Sequence, residues 1–312
     1  MSQANPTAGL NPAERRIGRS LWSDAARRIR RDPAAMVCLA VIVAYAAVSV
    51  GVGFVLPDWT QRPHYDRINL PPSGADWLGT DEFGRSVVEK TLLGAKVSMT
   101  VGFLANVIAV PLGILIGAMA GYYGGWVDDV IVWLYTTLST IPGLVRVIAI
   151  RFAFQGVVLW PDTSMEVDFG GLPGIILALA VTGWIGTCRL VRAETLKIRE
   201  LDYVLAARAA GRRGPAILLR HVVPNVSHLG IINFSLGFIG AVQAEVALTY
   251  LGIGVVGVPS WGQMINSAQM DLVVGRWWQI AAAGGAMFLL VLALNIFGDR
   301  LRDALDPKLR TS

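Results

Sequence analysis

An uncharged run of 23 residues, 34–56, constrains this chain more than any other feature. As a helix it would extend about 34 Å, enough to cross the hydrocarbon core of a bilayer and longer than the apolar part of a signal peptide. The whole chain has the same character, because 54% of its 312 residues are hydrophobic and only 16% are charged. We therefore predict an all-α polytopic membrane protein whose first transmembrane helix is residues 34–56.

Later apolar segments bring the prediction to about six transmembrane helices. The third span is expected to begin after Asp128 and Asp129 and to carry Pro142 and Gly143 near its outer end. The other expected spans are about 97–120, 172–188, 226–250 and 279–297. The chain then divides into an amino-terminal basic segment, a first helix, an outer segment, a membrane core with five helices and a tail, at residues 1–33, 34–56, 57–93, 94–299 and 300–312.

Basic residues are concentrated in alternate connections. Segments 1–33, 189–220 and 300–312 hold 19 of the 27 Lys and Arg residues. The positive-inside rule therefore predicts that both termini and the 189–225 loop are cytoplasmic. The same distribution explains the net charge of +5 without a nucleic-acid partner.

Three ionisable residues fall within or beside apolar sequence, where charge is costly unless it is paired or faces water. Arg146 and Arg151 follow Pro142 and Gly143, and Glu245 lies in the fifth predicted span. Snorkelling or pairing explains each of them, and so does a place on a translocation pathway, where an arginine would attract a substrate carboxylate. Both interpretations stay open at this stage.

The loop at residues 189–225 contains a predicted pair of short helices separated by a glycine. Asp202 is expected to be the N-cap of the first helix and Gly211 its stop, while Pro215 begins a second helix that ends at Pro224. A basic loop that only satisfies membrane topology is the alternative.

The spacing within this loop resembles the EAA loop of ABC importer permeases. Ala206, Ala207, Gly211, Val223 and Pro224 fit its register. Leu205 and His221 depart from it, since glutamate and isoleucine are usual at those positions. In that family the loop is the contact with the ATPase subunit.

Four other segments resemble the C-type permease subunits of dipeptide, oligopeptide and nickel ABC importers. Residues 78–86 are similar to the family's LGTDxxGRD signature, with Ser86 in place of the second aspartate. Residues 244–254, 259–262 and 298–307 are similar to its LEASLSFLGLG, PSWG and GDxLRDxLDP segments. The resemblance thus extends over most of the chain.

This resemblance implies a type I (MetI-like) ABC importer permease fold in a bacterial or archaeal plasma membrane. It also implies a B-type permease as heterodimer partner, two ATPase subunits and an extracytoplasmic substrate-binding protein that delivers the substrate. Peptides are the expected substrates, and nickel chelates, glutathione and sugars are the alternatives. The chain is expected to bind no cofactor or metal and to have no enzymatic activity, with ATP and Mg²⁺ used by the ATPase subunits. The residues assigned to ATPase coupling are Asp202, Tyr203, Ala206, Ala207, Arg208, Gly211, Arg212, Arg213 and Pro224.

Two other classes of function are alternatives to a permease subunit. A secondary transporter or channel would use Glu245 as its ion site and would need no ATP. A membrane-embedded enzyme is disfavoured because His64, His221 and His228 are scattered and no nucleophile arrangement is present. A phosphate loop at residues 84–91 is excluded because Glu89 replaces the glycine required before the lysine.

Overall fold

The computed structural model describes residues 21–56, 63–161, 166–254 and 257–305. Parts of the predicted basic segment, outer segment and tail, at residues 1–20, 57–62 and 306–312, therefore lie outside the described residues. The elements are α1 (Leu21–Arg31), α2 (Pro33–Val55), α3 (Val87–Tyr123), α4 (Gly125–Thr140), α5 (Gly143–Ala153), strands β1 (Val158–Leu159) and β2 (Val167–Asp168), α6 (Leu172–Ile198), α7 (Asp202–Ala209), α8 (Gly214–Ile217), α9 (Val223–Tyr250), α10 (Trp261–Val273) and α11 (Trp278–Leu305). A single 3₁₀ turn occupies Tyr65–Arg67, and β1 pairs antiparallel with β2.

Five helices among the described residues are long and apolar enough to cross a membrane. They are α2, α3, α6, α11 and one continuous helix, Gly214–Tyr250, formed by α8, a π turn and α9. The pair α4 and α5 adds a sixth span if it is counted as one, although the two helices are bent by 98°. The predicted all-helical membrane fold is therefore confirmed.

Helix α3 is the centre of the bundle and packs against α6, α9 and α2. Its contact with α6 is close because Gly113, Gly117 and Gly121 lie in a row along the interface. A Cβ added at Gly117 would come within 2.5 Å of the carbonyl oxygen of Cys188. The glycine row thus permits the close helix packing that small residues provide in membranes.

The predicted loop at residues 189–225 is shorter in the structure. Helix α6 continues to Ile198, and the next helix begins at Gly214, so only residues 199–213 are a connection. The prediction that a helix ends at Pro224 is wrong. A π turn at Leu218–Val222 shifts the hydrogen-bonding pattern, with the Val223 N–H donating to the Leu218 carbonyl, and Pro224 then occupies the first turn of α9. Proline is tolerated there because the helix does not need its missing N–H.

Four further features differ from the predictions. Helix α3 begins at Val87, within the predicted outer segment, and α11 continues to Leu305, within the predicted tail. The connection between α9 and α11 contains α10, which was not predicted, and its N-cap Ser260 accepts a hydrogen bond from the Gln263 N–H. The third span is broken near its middle at Ile141, because the backbone there is extended before Pro142.

Candidate functional site

Helix α7 lies at one end of the bundle, here called the basic end and defined by residues 199–213. Val204 is fully buried against the ends of α3 and α6 and the start of the helix that follows. Ala207 is half-buried against the same cluster. This anchoring cluster consists of Ala118, Tyr122, Val191, Ile198, Val204, Ile217, Leu218, Val222 and Val226. Because three spanning helices contribute to it, a displacement of α7 acts on all three.

The amino terminus of α7 differs from the prediction. Leu201 is the N-cap residue, with an extended backbone and no side-chain cap hydrogen bond, and Asp202 is the first helical residue. The turn after α6 places the helix start at this point, since the N–H groups of Val204 and Leu205 donate to the Leu201 carbonyl. The Asp202 carboxylate still lies in the first turn, where negative charge is favourable toward the helix dipole.

The carboxyl terminus of α7 is a Schellman motif, as the predicted glycine stop requires. Gly211 has a φ of +73°, its N–H donates to the Arg208 carbonyl at 3.0 Å, and the Arg212 N–H donates to the Ala207 carbonyl at 3.2 Å. Glycine adopts this left-handed conformation without a steric penalty. Gly211 therefore fixes the direction in which the chain leaves α7.

The other face of α7 is open. Leu201, Tyr203 and Leu205 are 46%, 42% and 41% exposed, and Ala206 and Arg208 are also exposed. The two alanines of the predicted motif thus have different surroundings, Ala206 facing outward and Ala207 facing the bundle. Exposed leucine and tyrosine side chains on this short, anchored helix are available for contact with another protein.

Tyr203 also connects α7 to the start of α9. Its hydroxyl accepts a hydrogen bond from the Asn225 side-chain amide at 3.1 Å, and its ring lies 6.4 Å from the ring of His221. Asn225 immediately follows Pro224, so the residue next to Pro224 is in contact with α7. Arg212 and Arg213 are exposed between α7 and α8.

The three pathway candidates are engaged within the chain and belong to different places. Arg146 donates to the Leu138 carbonyl at 2.6 Å, across the break between α4 and α5. Arg151 donates to the carbonyls of Phe169 and Gly170 and so holds β2 to the end of α5.

Glu245 is fully buried between three helices. It accepts hydrogen bonds from Ser98 of α3 and from Thr249 of α9, each at 3.0 Å, and Ser260 before α10 is its third partner. These hydrogen bonds offset the free-energy cost of burying the carboxyl group. They do not test a place on the translocation pathway, which stays a prediction for Arg146, Arg151 and Glu245.

The residues of the LGTD segment form a buried polar cluster that was not predicted. Asp81 has a fully buried side chain that pairs with Lys90 at 3.0 Å and with Arg85 at 3.2 Å, and Lys90 also donates to Gln279 of α11 at 3.0 Å. The Trp278 indole N–H donates to the Thr80 carbonyl at 3.2 Å. We call Thr80, Asp81, Lys90, Trp278 and Gln279 the clasp, because they tie the predicted outer segment to α3 and α11.

The charge state of the clasp follows from its contacts. Burial by itself would raise the pKa of Asp81, but the Lys90 ammonium and hydrogen bonds from Arg85, Lys90 and Phe83 outweigh burial and lower that pKa below its ordinary value. Asp81 is therefore ionised at neutral pH and paired with a buried cation. The sequence signal that could have located this pair is the lysine placed in the first turn of a helix directly after the motif.

The fold and the site define a class of protein: a polytopic membrane protein with a short helix anchored at one end of its helical bundle. Comparison with known sequences agrees. Residues 113–311 match the model of the family described as binding-protein-dependent transport system inner membrane component, and residues 20–72 match the N-terminal TM domain of oligopeptide transport permease C. The chain belongs to this family and is a membrane-spanning permease subunit of an ABC importer.

Curated relatives share this assignment over nearly their whole length. The dipeptide transport system permease protein DppC of Bacillus subtilis is 35% identical over 93% of this chain and 87% of the relative. The oligopeptide transport system permease protein OppC of Bacillus subtilis is 33% identical over 93% and 91%. The glutathione transport system permease protein GsiD of Pectobacterium atrosepticum is 32% identical over 94% and 93%.

Proposed function

We propose that this chain forms one half of the translocation pathway of a peptide importer. Dipeptides or oligopeptides are the proposed substrates, because relatives named for dipeptide and oligopeptide transport align with almost all of the chain. A related B-type permease supplies the other half, and an extracytoplasmic binding protein delivers the peptide. Glutathione is the competing substrate, since a relative of similar identity is named for it.

Helix α7 is the proposed contact with an ATPase subunit. The observation that carries this assignment is its two-sided character, with Val204 buried among the ends of three spanning helices and Tyr203 and Leu205 exposed. ATP and Mg²⁺ bind to the two ATPase subunits, and this chain performs no catalysis of its own. Closure of the ATPase pair around ATP moves α7, and its anchors transmit that movement to α3, α6 and α9.

The basic end is proposed to face the cytoplasm of a bacterial or archaeal cell, with both termini on the same side. The concentration of basic residues in segments 1–33, 189–220 and 300–312 supports this orientation. The clasp then lies on the outer side of the plasma membrane, where the binding protein docks.

Reconstitution in proteoliposomes tests the proposal. The chain is purified with its partner permease, ATPase subunits and binding protein, and uptake is measured for a labelled dipeptide, an oligopeptide, glutathione and a nickel chelate. We expect ATP-dependent peptide uptake and peptide-stimulated ATP hydrolysis. Uptake by this chain alone, driven by an ion gradient and independent of ATP, would instead support the secondary-transporter alternative with Glu245 as its ion site.

Substitutions of the two alanines of α7 should have separable effects. Ala207→Phe places a ring against the anchoring cluster, so we expect a lower unfolding temperature of the isolated chain and several-fold less uptake per ATP hydrolysed. Ala206→Phe adds the same volume on the exposed face and should weaken binding of the ATPase subunit without changing the unfolding temperature. If Ala206→Phe and Ala207→Phe lowered the unfolding temperature equally and weakened ATPase binding equally, this assignment of the two alanines would be contradicted.

Substitutions of Glu245 distinguish a structural role from an ion site. Glutamine has a similar shape and can still hydrogen bond to Ser98 and Thr249, so Glu245→Gln should keep ATP-driven uptake within a factor of about 3, less than 1 kcal/mol. Glu245→Ala leaves buried hydroxyls unpaired beside a cavity and should lower the free energy of unfolding by about 3 kcal/mol. Complete loss of uptake in a stably folded Glu245→Gln variant would favour the ion site.

A further inference from the structure

An open pocket of about 450 Å³ lies beside α7 at the basic end. Tyr122 and Tyr123, the last residues of α3, line one wall, and their rings meet edge to face with centroids 5.1 Å apart. The remaining wall is charged and is formed by Arg199, Glu200, Arg208 and Arg212. None of these residues is Leu201, Tyr203 or Leu205, the exposed apolar side chains at α7, and Arg208 lies on the same helix as Tyr203 and Leu205.

Positive charge in this pocket exceeds negative charge. Glu200 pairs with Arg199 at 2.8 Å, and Arg199 also donates to the Gly121 carbonyl at 3.1 Å. The Arg208 guanidinium lies 5.6 Å from the centre of the Tyr122 ring, a cation–π contact that positions it. Within the described part of the chain, no carboxylate is paired with Arg208 or Arg212. The pocket therefore presents two arginines to an anionic group from outside.

The position of the pocket along α6 distinguishes between a lipid and a protein as the source of that group. From Leu172 to Arg192 the helix rises about 30 Å, the thickness of the hydrocarbon core. Arg192 pairs with Asp128 at that level. Arg199 is about 10 Å further along the axis, whereas the headgroup layer on each side is only about 5 to 8 Å thick. With Leu172 placed at one boundary of the hydrocarbon core and α6 along the bilayer normal, the pocket lies beyond the lipid headgroups on the other side.

We propose that the pocket receives an aspartate or glutamate side chain of the ATPase subunit that docks on α7. This inference rests on the proposed function, because it assumes that α7 is the ATPase contact. A carboxylate between two guanidinium groups can form paired, charge-assisted hydrogen bonds, and arginine is better suited to this geometry than lysine. The carboxylate fixes the orientation of the ATPase subunit relative to α7, which supplies specificity that the exposed leucines and tyrosine alone do not provide.

Titration of purified ATPase subunit onto the full permease pair in lipid nanodiscs tests this proposal. The variants are Arg208→Glu with Arg212→Glu, and Arg212→Gln alone, which changes only an exposed side chain. We expect at least tenfold weaker ATPase binding for the double variant, together with loss of the salt dependence of Kd shown by the wild type. Arg220→Glu is the control for a charge reversal outside the pocket, because Arg220 is exposed there, although it makes only one of the two charge reversals of the double variant.

The results of this titration distinguish an error in the pocket assignment from an error in the proposed function. Equal Kd values for the double variant and the control would overturn the pocket assignment while leaving the proposed function intact. A difference seen only in nanodiscs with phosphatidylglycerol, and not in pure phosphatidylcholine, would identify an anionic lipid as the occupant and would also overturn it. Failure of the wild type to bind any ATPase subunit would refute the proposed function itself. Restored binding by an acidic-to-arginine substitution in the ATPase subunit would identify the partner residue directly.

Discussion

A complex carrying Gly211→Pro should hydrolyse ATP while taking up little or no peptide. Proline cannot adopt the φ of +73° at Gly211, and it lacks the N–H that donates to the Arg208 carbonyl. It also disfavours the helical conformation of the residue before it, Ala210, which caps α7. We expect the substitution to disrupt the end of α7 at a cost of about 3 kcal/mol, and peptide uptake per ATP to fall by a factor of 10 or more.

The chain provides a matched control for this substitution. Helix α10 ends in the same motif, with Gly275 at a φ of +80°, its N–H donating to the Leu272 carbonyl and the Arg276 N–H donating to the Asp271 carbonyl. Gly275→Pro therefore causes the same backbone damage at the opposite end of the bundle. ATPase binding and basal hydrolysis should remain at wild-type values in that variant. Gly211→Pro with wild-type uptake per ATP would show that α7 does not transmit the movement.

Removal of the negative charge from the clasp should cause the largest loss of stability. Asp81→Asn leaves Lys90, whose side chain is 4% exposed, buried without a counter-charge. Losing one partner of a buried ion pair costs about 3 to 5 kcal/mol. The measurement is the unfolding temperature of the purified chain in detergent, with Asp66→Asn as the control because Asp66 is exposed in the same outer segment.

The pH dependence of that loss has a defined sign. Because the pKa of Asp81 is lowered in the folded chain, its ionised form contributes stability at neutral pH, and the contribution disappears as the pH falls from about 4 through the lowered pKa. The difference between wild type and Asp81→Asn should therefore stay constant from about pH 8 to pH 5 and shrink in stronger acid. Asp81→Asn combined with Lys90→Met should recover part of the stability, since the unpaired cation is then removed. A difference that grows in acid would contradict the ion-pair explanation.

The elements that were predicted correctly depend on local signals. Uncharged apolar runs gave the spans, since nothing else in a bilayer satisfies the backbone. Gly211 predicted the end of α7 because a left-handed residue is required there. Each of these inferences needs only a few neighbouring residues.

The errors have a different origin, since each involves contacts that a local pattern does not contain. Pro224 was interpreted as a helix end because the π turn that accommodates it depends on the packing of Leu218 and Val222 in the anchoring cluster. The start of α7 was placed one residue late because the turn after α6 determines it. The contact of the clasp with α11 was missed because Gln279, the second partner of Lys90, lies far along the chain.

The most direct test of the central claim is site-specific cross-linking from α7. The two native cysteines, Cys38 and Cys188, are buried, so a cysteine introduced at exposed Ala206 can be labelled selectively with a photoreactive maleimide in the assembled importer. Asp66, on the opposite end of the bundle, is the control position. Our account predicts a cross-link from position 206 to the ATPase subunit and none from position 66. An ATPase adduct that is absent at position 206, in a complex that transports peptide at the wild-type rate, would contradict it.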